Sequence, residues 1–308
     1  MKKIIIFLIL MTAVISKVNS QITFQETFQI APENYSNTIS AVSNGGYIFS
    51  TIVQASTFAP SDFNLTSIDS AGTILWCKSY GGSLNDEAYY PLQAADGNIV
   101  IAGFYPIGNS GKVLLAKMDL LNGNVLWAKA IGVNGNESAG GPVVETHDKG
   151  FAIPGSTWSI GAGNSDFYLV RTDSMGNLLW AKSYGGIDSD NGNAVIETKD
   201  HGFIALGITF SFNSPGGDLL VIKTDSLGNI EWSKKYGGSW QEFASSINET
   251  PDNGYLISGN TESFGVNAPL LLIKTDSIGT MQWSKVYESF EFGSNAQVTS
   301  NSEIIAAG

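Results

Sequence analysis

Few residues in this sequence are of the types that carry out catalysis or bind transition metals. The 308-residue chain contains two histidines, His147 and His201, and one cysteine, Cys77. Both histidines fall at non-equivalent positions of predicted turns, where we interpret them as solvated residues. Cys77 is predicted to be a small buried residue beside Trp76. The sequence has no H-E-x-x-H, no cysteine–histidine metal spacing, no P-loop and no G-x-S-x-G. No set of residues therefore specifies a reaction.

Carboxylates are more plentiful, and several lie outside the regular pattern of the chain: Asp86, Glu87, Asp188, Asp190 and Glu242. A pair of such acids could act as the general acid and the nucleophile of a glycoside hydrolase. The segment DSDNGN, which begins at Asp188, resembles a calcium loop but has no acid at the twelfth position. Two interpretations of Asp188 and Asp190 stay open, as calcium ligands or as polar turn residues.

Aromatic residues offer a different kind of chemistry. Two of the seven tryptophans, Trp158 and Trp240, do not fit the regular spacing of the other five. Further aromatic residues fall in the same kind of connecting segment: Phe58, Tyr105, Phe210, Phe212 and Phe264. Exposed aromatic rings on loops suit stacking against a sugar or docking of a protein partner. The alternative is that these rings pack between neighbouring structural units.

The other tryptophans anchor an internal repeat with the pattern D-x-x-G-x3-W-x-K, which has one extra residue in its second copy. The anchors are Trp76, Trp127, Trp180, Trp232 and Trp283, and successive anchors are 51, 53, 52 and 51 residues apart. A period near 50 residues is typical of the blades of a β-propeller. Because one large aromatic recurs at a fixed position, we expect each anchor to be substantially buried between neighbouring blades.

Each repeat contains four strand-like segments, which we name strands A to D. In one copy, strand A is predicted over 193–198, strand B over 202–209, strand C over 218–224 and strand D over 230–236. Turns containing Asp and Gly join A to B and C to D. The sequence predicts an all-β fold, a β-propeller of four-stranded antiparallel blades with about 52 residues per blade. A solenoid of stacked β-turns is the alternative.

The two ends of the repeat region predict one further, partial blade. Residues 24–28 fit strand D, and residues 296–308 fit strands A and B, with Asn301 near their turn. The chain is therefore predicted to hold five full blades and a partial sixth. Either the ring has six blades and closes with strands from both ends, or the chain is part of a larger ring and is incomplete at its C terminus.

Residues 1–20 have the features of a secretory signal peptide. Lys2 and Lys3 precede an apolar stretch, and Val18-Asn19-Ser20 fits a cleavage site. The propeller domain would then span residues 21–308, be secreted or displayed at the cell surface, and contain no membrane span. The net charge of −12 and pI of about 4.5 argue against binding to nucleic acid or to an anionic membrane.

The repeat resembles that of a family of secreted bacterial proteins common in bacteroidete-type bacteria. Units of that family read roughly W-x-K-x-Y-G-G-S, D-G-G-Y/F-I-x-x-G-x-T and L-I-K-T-D-x-x-G-N. The matching segments here are WAKSYGG from Trp180, HGFIALGIT from His201 and LVIKTDSLGN from Leu220. The resemblance covers nearly all of residues 24–308. It implies a propeller related to the quinoprotein type and export by the type IX route, and some members carry an endoglucanase-like label.

The cofactor of the quinoprotein enzymes is not expected in this chain. Those enzymes commonly hold their quinone against a vicinal cysteine pair, and a single cysteine cannot form one. Similarity of fold does not by itself transfer function. We therefore expect no cofactor, apart from the calcium ion that Asp188 and Asp190 could bind.

Two functions of different classes remain. The first is a non-enzymatic scaffold that binds a glycan or a protein partner through its aromatic loops. The second is a secreted, endoglucanase-like hydrolase that uses acids of the D–A connections. Because antiparallel strands alternate in direction, the B–C and D–A connections must emerge at one end of the blades, which we call the loop face. The A–B and C–D turns must lie at the other end, the turn face.

Overall fold

The computed structural model describes residues 33–54, 60–108, 110–133, 135–288, 295–299 and 303–307. Every regular element among them is a β-strand, and every strand pair is antiparallel. The predicted strand at 24–28, Phe58 and Asn301 lie outside the described residues.

The strands are grouped into six sheets. Blade 1 consists of β1 (Glu33–Ala41), β2 (Tyr47–Gln54), β3 (Ser61–Ile68) and β4 (Ile74–Tyr80). Blade 2 consists of β5 (Glu87–Gln93), β6 (Ile99–Ile107), β7 (Ser110–Met118) and β8 (Val125–Ile131). Blade 3 consists of β9 (Glu137–Ala139), β10 (Val144–Glu145), β11 (Phe151–Thr157), β12 (Asp166–Thr172) and β13 (Leu178–Tyr184). Blade 4 consists of β14 (Asp190–Glu197), β15 (Phe203–Thr209), β16 (Asp218–Thr224) and β17 (Ile230–Tyr236). Blade 5 consists of β18 (Glu242–Glu249), β19 (Tyr255–Thr261), β20 (Leu270–Thr275) and β21 (Met281–Tyr287). The described part of blade 6 consists of β22 (Asn295–Val298) and β23 (Ile304–Ala307).

Each blade is an antiparallel meander in which consecutive strands pair, except that β9 and β10 of blade 3 both pair with β11. Innermost strands of neighbouring blades contact one another, as between β1 and β5, β14 and β18, and β18 and β22. Residues of the innermost strands of all six blades line one central channel of about 660 Å³. The chain is therefore a β-propeller with five complete blades and a partial sixth, as the sequence predicts.

Strands B and C form the core of blades 2 to 5 because neighbouring blades cover both of their faces. All seven residues of β16 are buried, for example, which explains why such strands are almost continuously apolar. The core clusters cross the blade boundaries. Val113 of blade 2 packs in one cluster with Phe151 of blade 3, and Leu206 of blade 4 with Ile257 of blade 5. Burial between blades is thus the main apolar contribution to holding the ring together.

The anchor tryptophans lie on strand D and contact the C–D turn of the following blade. Nε1 of Trp76 donates a hydrogen bond to the Leu120 carbonyl at 2.8 Å, and Nε1 of Trp180 to the Ser226 carbonyl at 3.2 Å. All five anchor residues are half-buried, and each packs against one of the core clusters. Strand D is the outer strand of its blade, so the next blade covers one face of the ring and solvent reaches the other.

Cys77 differs from its prediction, because it is exposed rather than buried. On β4 the half-buried positions Trp76 and Lys78 face the next blade, and the intervening Cys77 faces outward. Its Sγ accepts a hydrogen bond from Thr66 Oγ1 at 3.2 Å. The strand assignment was right, but the sequence pattern did not show which face of the outer strand would be covered.

Strand A departs from regular pairing in several blades. The register with strand B shifts between Gly192 and Ala194 in blade 4 and between Ala244 and Ser246 in blade 5. In blade 3 the strand divides into β9 and β10, which are separated by residues 140–143. These β-bulges bend the innermost strand near the channel, where blades are crowded most closely.

Candidate functional site on the loop face

The B–C loop of each blade lies against the connection that follows strand D of the preceding blade. The Asp188 N–H, in the connection after blade 3, donates to Ser211 Oγ of the blade 4 B–C loop at 3.1 Å. A Cβ placed on Gly186 would lie 2.7 Å from the Ser211 Cβ, so a larger residue there would push the two loops apart. The loop face is therefore a continuous surface built by residues from neighbouring blades.

Most of the aromatic residues singled out from the sequence are exposed on this face. Trp158 is 54% exposed and Trp240 is 65% exposed. Tyr105, Phe212 and Phe264 are also exposed, while Phe210 is half-buried. Tyr105 lies within β6, opposite Lys112 of β7, rather than in the predicted connection. These rings belong to blades 2, 3, 4 and 5 and to the connection between blades 4 and 5. Exposure of the five side chains argues against the alternative that they are packed between blades.

A pocket of about 850 Å³ opens on the loop face between blades 3 and 4. It is lined by an aromatic ring, two carboxamides, a carboxylate, two hydroxyls and a proline: Phe210, Asn164, Asn213, Asp188, Ser189, Ser214 and Pro215. The size lies in the range typical of small-molecule sites. Two of the aromatic residues predicted to bind, Trp158 and Trp240, are not among the lining residues.

Lys235 holds one wall of this pocket in place. Its Nζ donates to the carbonyl of Phe212 at 3.0 Å and to Ser214 Oγ at 2.5 Å, and it forms an ion pair with Asp218 at 3.0 Å. The sequence analysis did not single out Lys235. It could have been found, because blade 4 alone has two consecutive lysines before the tyrosine of strand D.

Trp240 lies beside the pocket on a fixed backbone. Its N–H donates to Ser263 Oγ at 2.9 Å, and the Ser263 hydroxyl lies 3.1 Å from the Trp240 carbonyl. A Cβ on Gly216 would lie 2.9 Å from the Trp240 backbone, so the loop that carries Pro215 packs directly against it. With its backbone held and its ring exposed, Trp240 extends the rim of the pocket towards blade 5.

The two acids proposed as calcium ligands have different environments. Asp188 is exposed and lines the pocket, whereas Asp190 is fully buried at the start of β14. Asp190 Oδ2 accepts hydrogen bonds from the Gly186 N–H at 2.8 Å and from Ser211 Oγ at 2.9 Å. Its Oδ1 is buried without a hydrogen-bond partner. Calcium binding by Asp188 and Asp190 stays a prediction, since calcium needs six to eight oxygens converging on one point.

Asp190 belongs to a set of buried acids, one at or just before the start of strand A in each of blades 2 to 5: Asp86, Glu137, Asp190 and Glu242. In three cases a second acid from strand C of the preceding blade lies nearby. A Cβ on Gly185 would be 2.4 Å from Asp190 Oδ2 and 2.5 Å from Asp166 Oδ1, so both carboxylates press on one glycine. Burial, and then the negative charge of Asp218, raises the pKa of Glu242. These acids are parts of the blade junctions rather than groups open to a substrate.

The central channel offers hydroxyl, amide and apolar groups. Its lining includes Asn193, Asn248, Asn295, Gln297 and several serines, but no Asp, Glu, His, Lys or Arg among the residues that the structure describes. A glycosidase needs two carboxylates on either side of the bond that it cleaves. The described walls of the channel therefore cannot supply that chemistry.

The structure brings together three residues on the turn face that the sequence analysis kept apart. His147 and His201 stack with their ring centroids 3.8 Å apart, and both lie next to Glu197. They occupy the second position of one A–B turn and the fourth position of the next, so the repeat alone gave no signal that they meet. Both histidines are exposed turn residues, as the sequence predicts, but their proximity to each other and to Glu197 was not predicted.

The described residues contain no helix long and apolar enough to cross a membrane. No protein-family model matches the sequence. The chain is similar to the regulatory protein FlaEY of Caulobacter vibrioides, with 26% identity over an aligned stretch of 141 residues. That stretch covers 41% of this chain and 15% of FlaEY, so the chain spans only a small part of that protein.

Two solved structures share the propeller architecture. One is a protein of unknown function from Bacteroides caccae, with a TM-score of 0.51 and 12% identity, covering 87% of this chain and 86% of that one. The other is the α-L-arabinanase of Penicillium chrysogenum complexed with arabinobiose, with a TM-score of 0.57 and 12% identity. It covers 86% of this chain and 85% of that one. At these identities the likeness concerns the fold alone.

Proposed function

We propose that this chain is an exported glycan-binding propeller whose binding site is the loop-face pocket between blades 3 and 4. The observation that carries the proposal is the lining of that pocket, in which the ring of Phe210 lies among amide, hydroxyl and carboxylate side chains. Export rests on the signal-peptide interpretation of residues 1–20. Membership of the secreted bacterial repeat family that the signature resembles is part of the same proposal.

The chemistry of the pocket matches that of a sugar. A pyranose or furanose ring has an apolar face, which packs on an aromatic ring, and a rim of hydroxyls that donate and accept hydrogen bonds. Asn164, Asn213 and Asp188 provide such donors and acceptors around Phe210. Trp240, at the rim, offers a second ring for a neighbouring sugar residue of a longer chain. Preformed loops lower the entropy that binding costs.

A hydrolytic function receives less support from the same residues. Asp188 is the one carboxylate among the described lining of the pocket. The other acid of the connection after blade 3, Asp190, is turned into the blade junction and is fully buried. Since hydrolysis of a glycosidic bond requires a second carboxylate on the opposite side of that bond, binding without turnover is the function we propose.

The test is a binding measurement on the purified chain. We expect at least one oligosaccharide of a panel that includes arabinan, xylan, glucan and mannan fragments to bind in isothermal titration calorimetry. Phe210→Ala and Asp188→Asn should each weaken that binding by roughly tenfold or more, because an aromatic contact or a charge-assisted hydrogen bond is worth about 1–3 kcal/mol. Leu227→Ala, at an exposed position on the turn face, is the matched control and should leave affinity unchanged.

Three results would count against the proposal. Binding that survives Phe210→Ala and Asp188→Asn would place the glycan elsewhere on the ring. Release of reducing sugar, abolished by Asp188→Asn, would establish the hydrolase instead. Capture of a protein by the same face, with no affinity for any oligosaccharide of the panel, would favour a protein partner.

A further inference from the structure

A glutamate at the end of strand A connects neighbouring blades through a hydrogen bond. Glu197 Oε2 accepts the backbone N–H of His147 at 2.7 Å, although the two residues are 50 positions apart in sequence. Glu145 makes the same contact with the N–H of Ala95 at 2.7 Å, and Glu249 with that of Lys199 at 3.2 Å. One carboxylate oxygen therefore accepts a hydrogen bond from the backbone of the preceding blade. The other oxygen can contact side chains.

At the junction of blades 3 and 4 the available oxygen faces two imidazoles. Glu197 Oε1 lies 2.6 Å from Nδ1 of His147 and 3.9 Å from Nδ1 of His201. One donor atom from each of the three residues lies within 4.8 Å of the other two. The histidine side chains are 50% and 55% exposed, whereas that of Glu197 is 12% exposed. The carboxylate is thus fixed and the two rings are free to adjust.

We propose that His147, Glu197 and His201 form a site for a divalent transition metal of the zinc or nickel type. Two neutral imidazoles and one carboxylate suit such an ion, which retains water at its remaining positions. Bonds of about 2.0–2.2 Å to nitrogen and oxygen keep ligand atoms roughly 3 Å apart. The shorter Nδ1–Oε1 contact must therefore open slightly and the longer one close, which small rotations of the exposed rings allow. The bond from the His147 N–H to Oε2 holds the carboxylate in place while it binds the ion.

The ion would join two blades that the sequence places one repeat apart. His147 belongs to the A–B turn of blade 3, and Glu197 and His201 belong to strand A and the A–B turn of blade 4. Metal binding should consequently stabilise the folded ring, because the unfolded chain does not hold the three ligands together. This site lies on the face opposite the proposed glycan pocket and does not depend on it.

The next junction of the ring provides an internal comparison. There the equivalent residues are Lys199, Glu249 and Asn253, and Lys199 Nζ contacts both Glu249 at 3.5 Å and Asn253 Oδ1 at 2.9 Å. The ammonium group occupies the space between the other two side chains, so that junction cannot bind a metal. Asn253 has φ of 60° and His201 has φ of 63°, so either residue type fits the left-handed turn position.

The experiment uses untagged full-length protein stripped of metal with a chelator. We expect one equivalent of Zn²⁺ or Ni²⁺ to bind in isothermal titration calorimetry and to raise the melting temperature. The double substitution His147→Lys/His201→Asn copies the next junction and should fold normally, while its affinity for the metal falls at least a hundredfold. Conversely, Lys199→His/Asn253→His in the otherwise unchanged chain should add a second equivalent.

The outcomes are distinct. Failure of the unchanged protein to bind a stoichiometric ion would overturn the proposal, as would undiminished binding by the Lys/Asn double variant. A melting temperature that does not respond to metal would contradict the bridge between blades. A single equivalent in the grafted variant would show that these three positions do not suffice to form the site.

Discussion

At the scale of single residues, Lys112 shows how one side chain changes the charge balance of a blade junction. Its Nζ forms an ion pair with the fully buried Glu137 at 3.1 Å. At the equivalent junctions the position of Lys112 is occupied by Asp62, Asp166 or Asp218, so two acids meet there. Burial, and then the negative charge of Asp62, raises the pKa of Asp86, because both disfavour the ionised form.

Replacing Lys112 by methionine should therefore be costly. Glu137 would keep a buried charge without a counter-ion, and breaking a buried pair in this way costs about 3–5 kcal/mol. We expect a loss near the lower end of that range in urea unfolding at pH 7. Lys199→Met, which removes an exposed ion pair, should cost roughly 0–1 kcal/mol and serves as the control. Equal effects of the two substitutions would mean that the Lys112–Glu137 ion pair does not stabilise the fold.

Residue-scale features were the least predictable from the sequence. Equivalent positions of the repeats reveal residues that recur. They do not reveal two residues at non-equivalent positions that meet across a blade junction. His147 and His201 are such a pair. Asp190 was predicted to lie outside the repeat pattern. No sequence pattern indicated that its carboxylate turns inward while that of Asp188 stays exposed. The buried carboxylate of Asp190 accepts hydrogen bonds from the Gly186 N–H at 2.8 Å and from Ser211 Oγ at 2.9 Å, and these bonds favour the inward orientation.

At the scale of elements, the repeated signature is the contact between strand D and the next C–D turn. In β13, Trp180 covers the turn of blade 4, Lys182 Nζ donates to Asn229 Oδ1 at 2.7 Å, and Tyr184 donates to the Gly228 carbonyl at 2.8 Å. Gly228 has φ of 74°, and a Cβ there would lie 2.9 Å from the Trp180 ring. The W-x-K-x-Y and D-x-x-G-N segments recur together because the side chains of the first contact the turn formed by the second in the next blade.

Truncation of Trp180 tests this contact. A fully buried tryptophan would cost about 3–5 kcal/mol on replacement by alanine. Because the ring is half-buried, we expect Trp180→Ala to lower the free energy of unfolding by about 2–3 kcal/mol. Leu179→Ala, at an exposed position of the same strand, should change it by less than about 0.5 kcal/mol. A loss at Trp180 no larger than that at Leu179 would contradict the proposed role of the signature.

Elements were well predicted where the apolar pattern continued and poorly predicted where it broke. The ranges predicted for strands C and D of blade 4 coincide with β16 and β17. Strand A of the same blade was predicted to begin at Asn193 but begins at Asp190, because the bulge at Gly192–Ala194 interrupts the alternation. Strand A of blade 3 is divided by Gly140, Gly141 and Pro142, since proline cannot donate a ladder hydrogen bond.

At the scale of the whole molecule, the buried cationic side chains form ion pairs with the A–B turns of their own blades. Each of blades 2 to 5 has a buried Lys or Arg on strand C that pairs with the Asp of the A–B turn: Lys117 with Asp96, Arg171 with Asp148, Lys223 with Asp200 and Lys274 with Asp252. These pairs are distributed around the turn face, one in each blade. They explain why the basic residues recur at equivalent positions without forming a basic patch.

The same pairs make stability depend on pH. Burial opposes ionisation of Asp200, but hydrogen bonds from Lys223, Thr198 and the Gly202 N–H outweigh it and lower the pKa to about 2. Comparable bonds lower the pKa of Asp148 and of Asp252 to about 2. The unfolded chain therefore binds more protons than the folded one as pH falls from the ordinary value of 3.8. The stability that these three carboxylates supply is present above that value and is lost as pH falls through about 2.

The buried junction acids act in the opposite direction. Burial raises the pKa of Asp86 and of Glu242, so their contribution is greatest when they are protonated and is lost as pH rises through the raised values. We therefore expect the melting temperature to rise as pH is lowered through the raised pKa values of Asp86 and Glu242, and then to fall as pH drops from about 3.8 to about 2. Circular dichroism measures the melting temperature across this pH range, on dilute protein because the pI is about 4.5.

Two variants separate the two effects. Asp200→Asn should reduce the fall in melting temperature at acid pH, and Asp86→Asn should reduce its dependence on pH above pH 4. A melting temperature that falls steadily from pH 8 to 4 would show that burial does not raise the pKa of the junction acids.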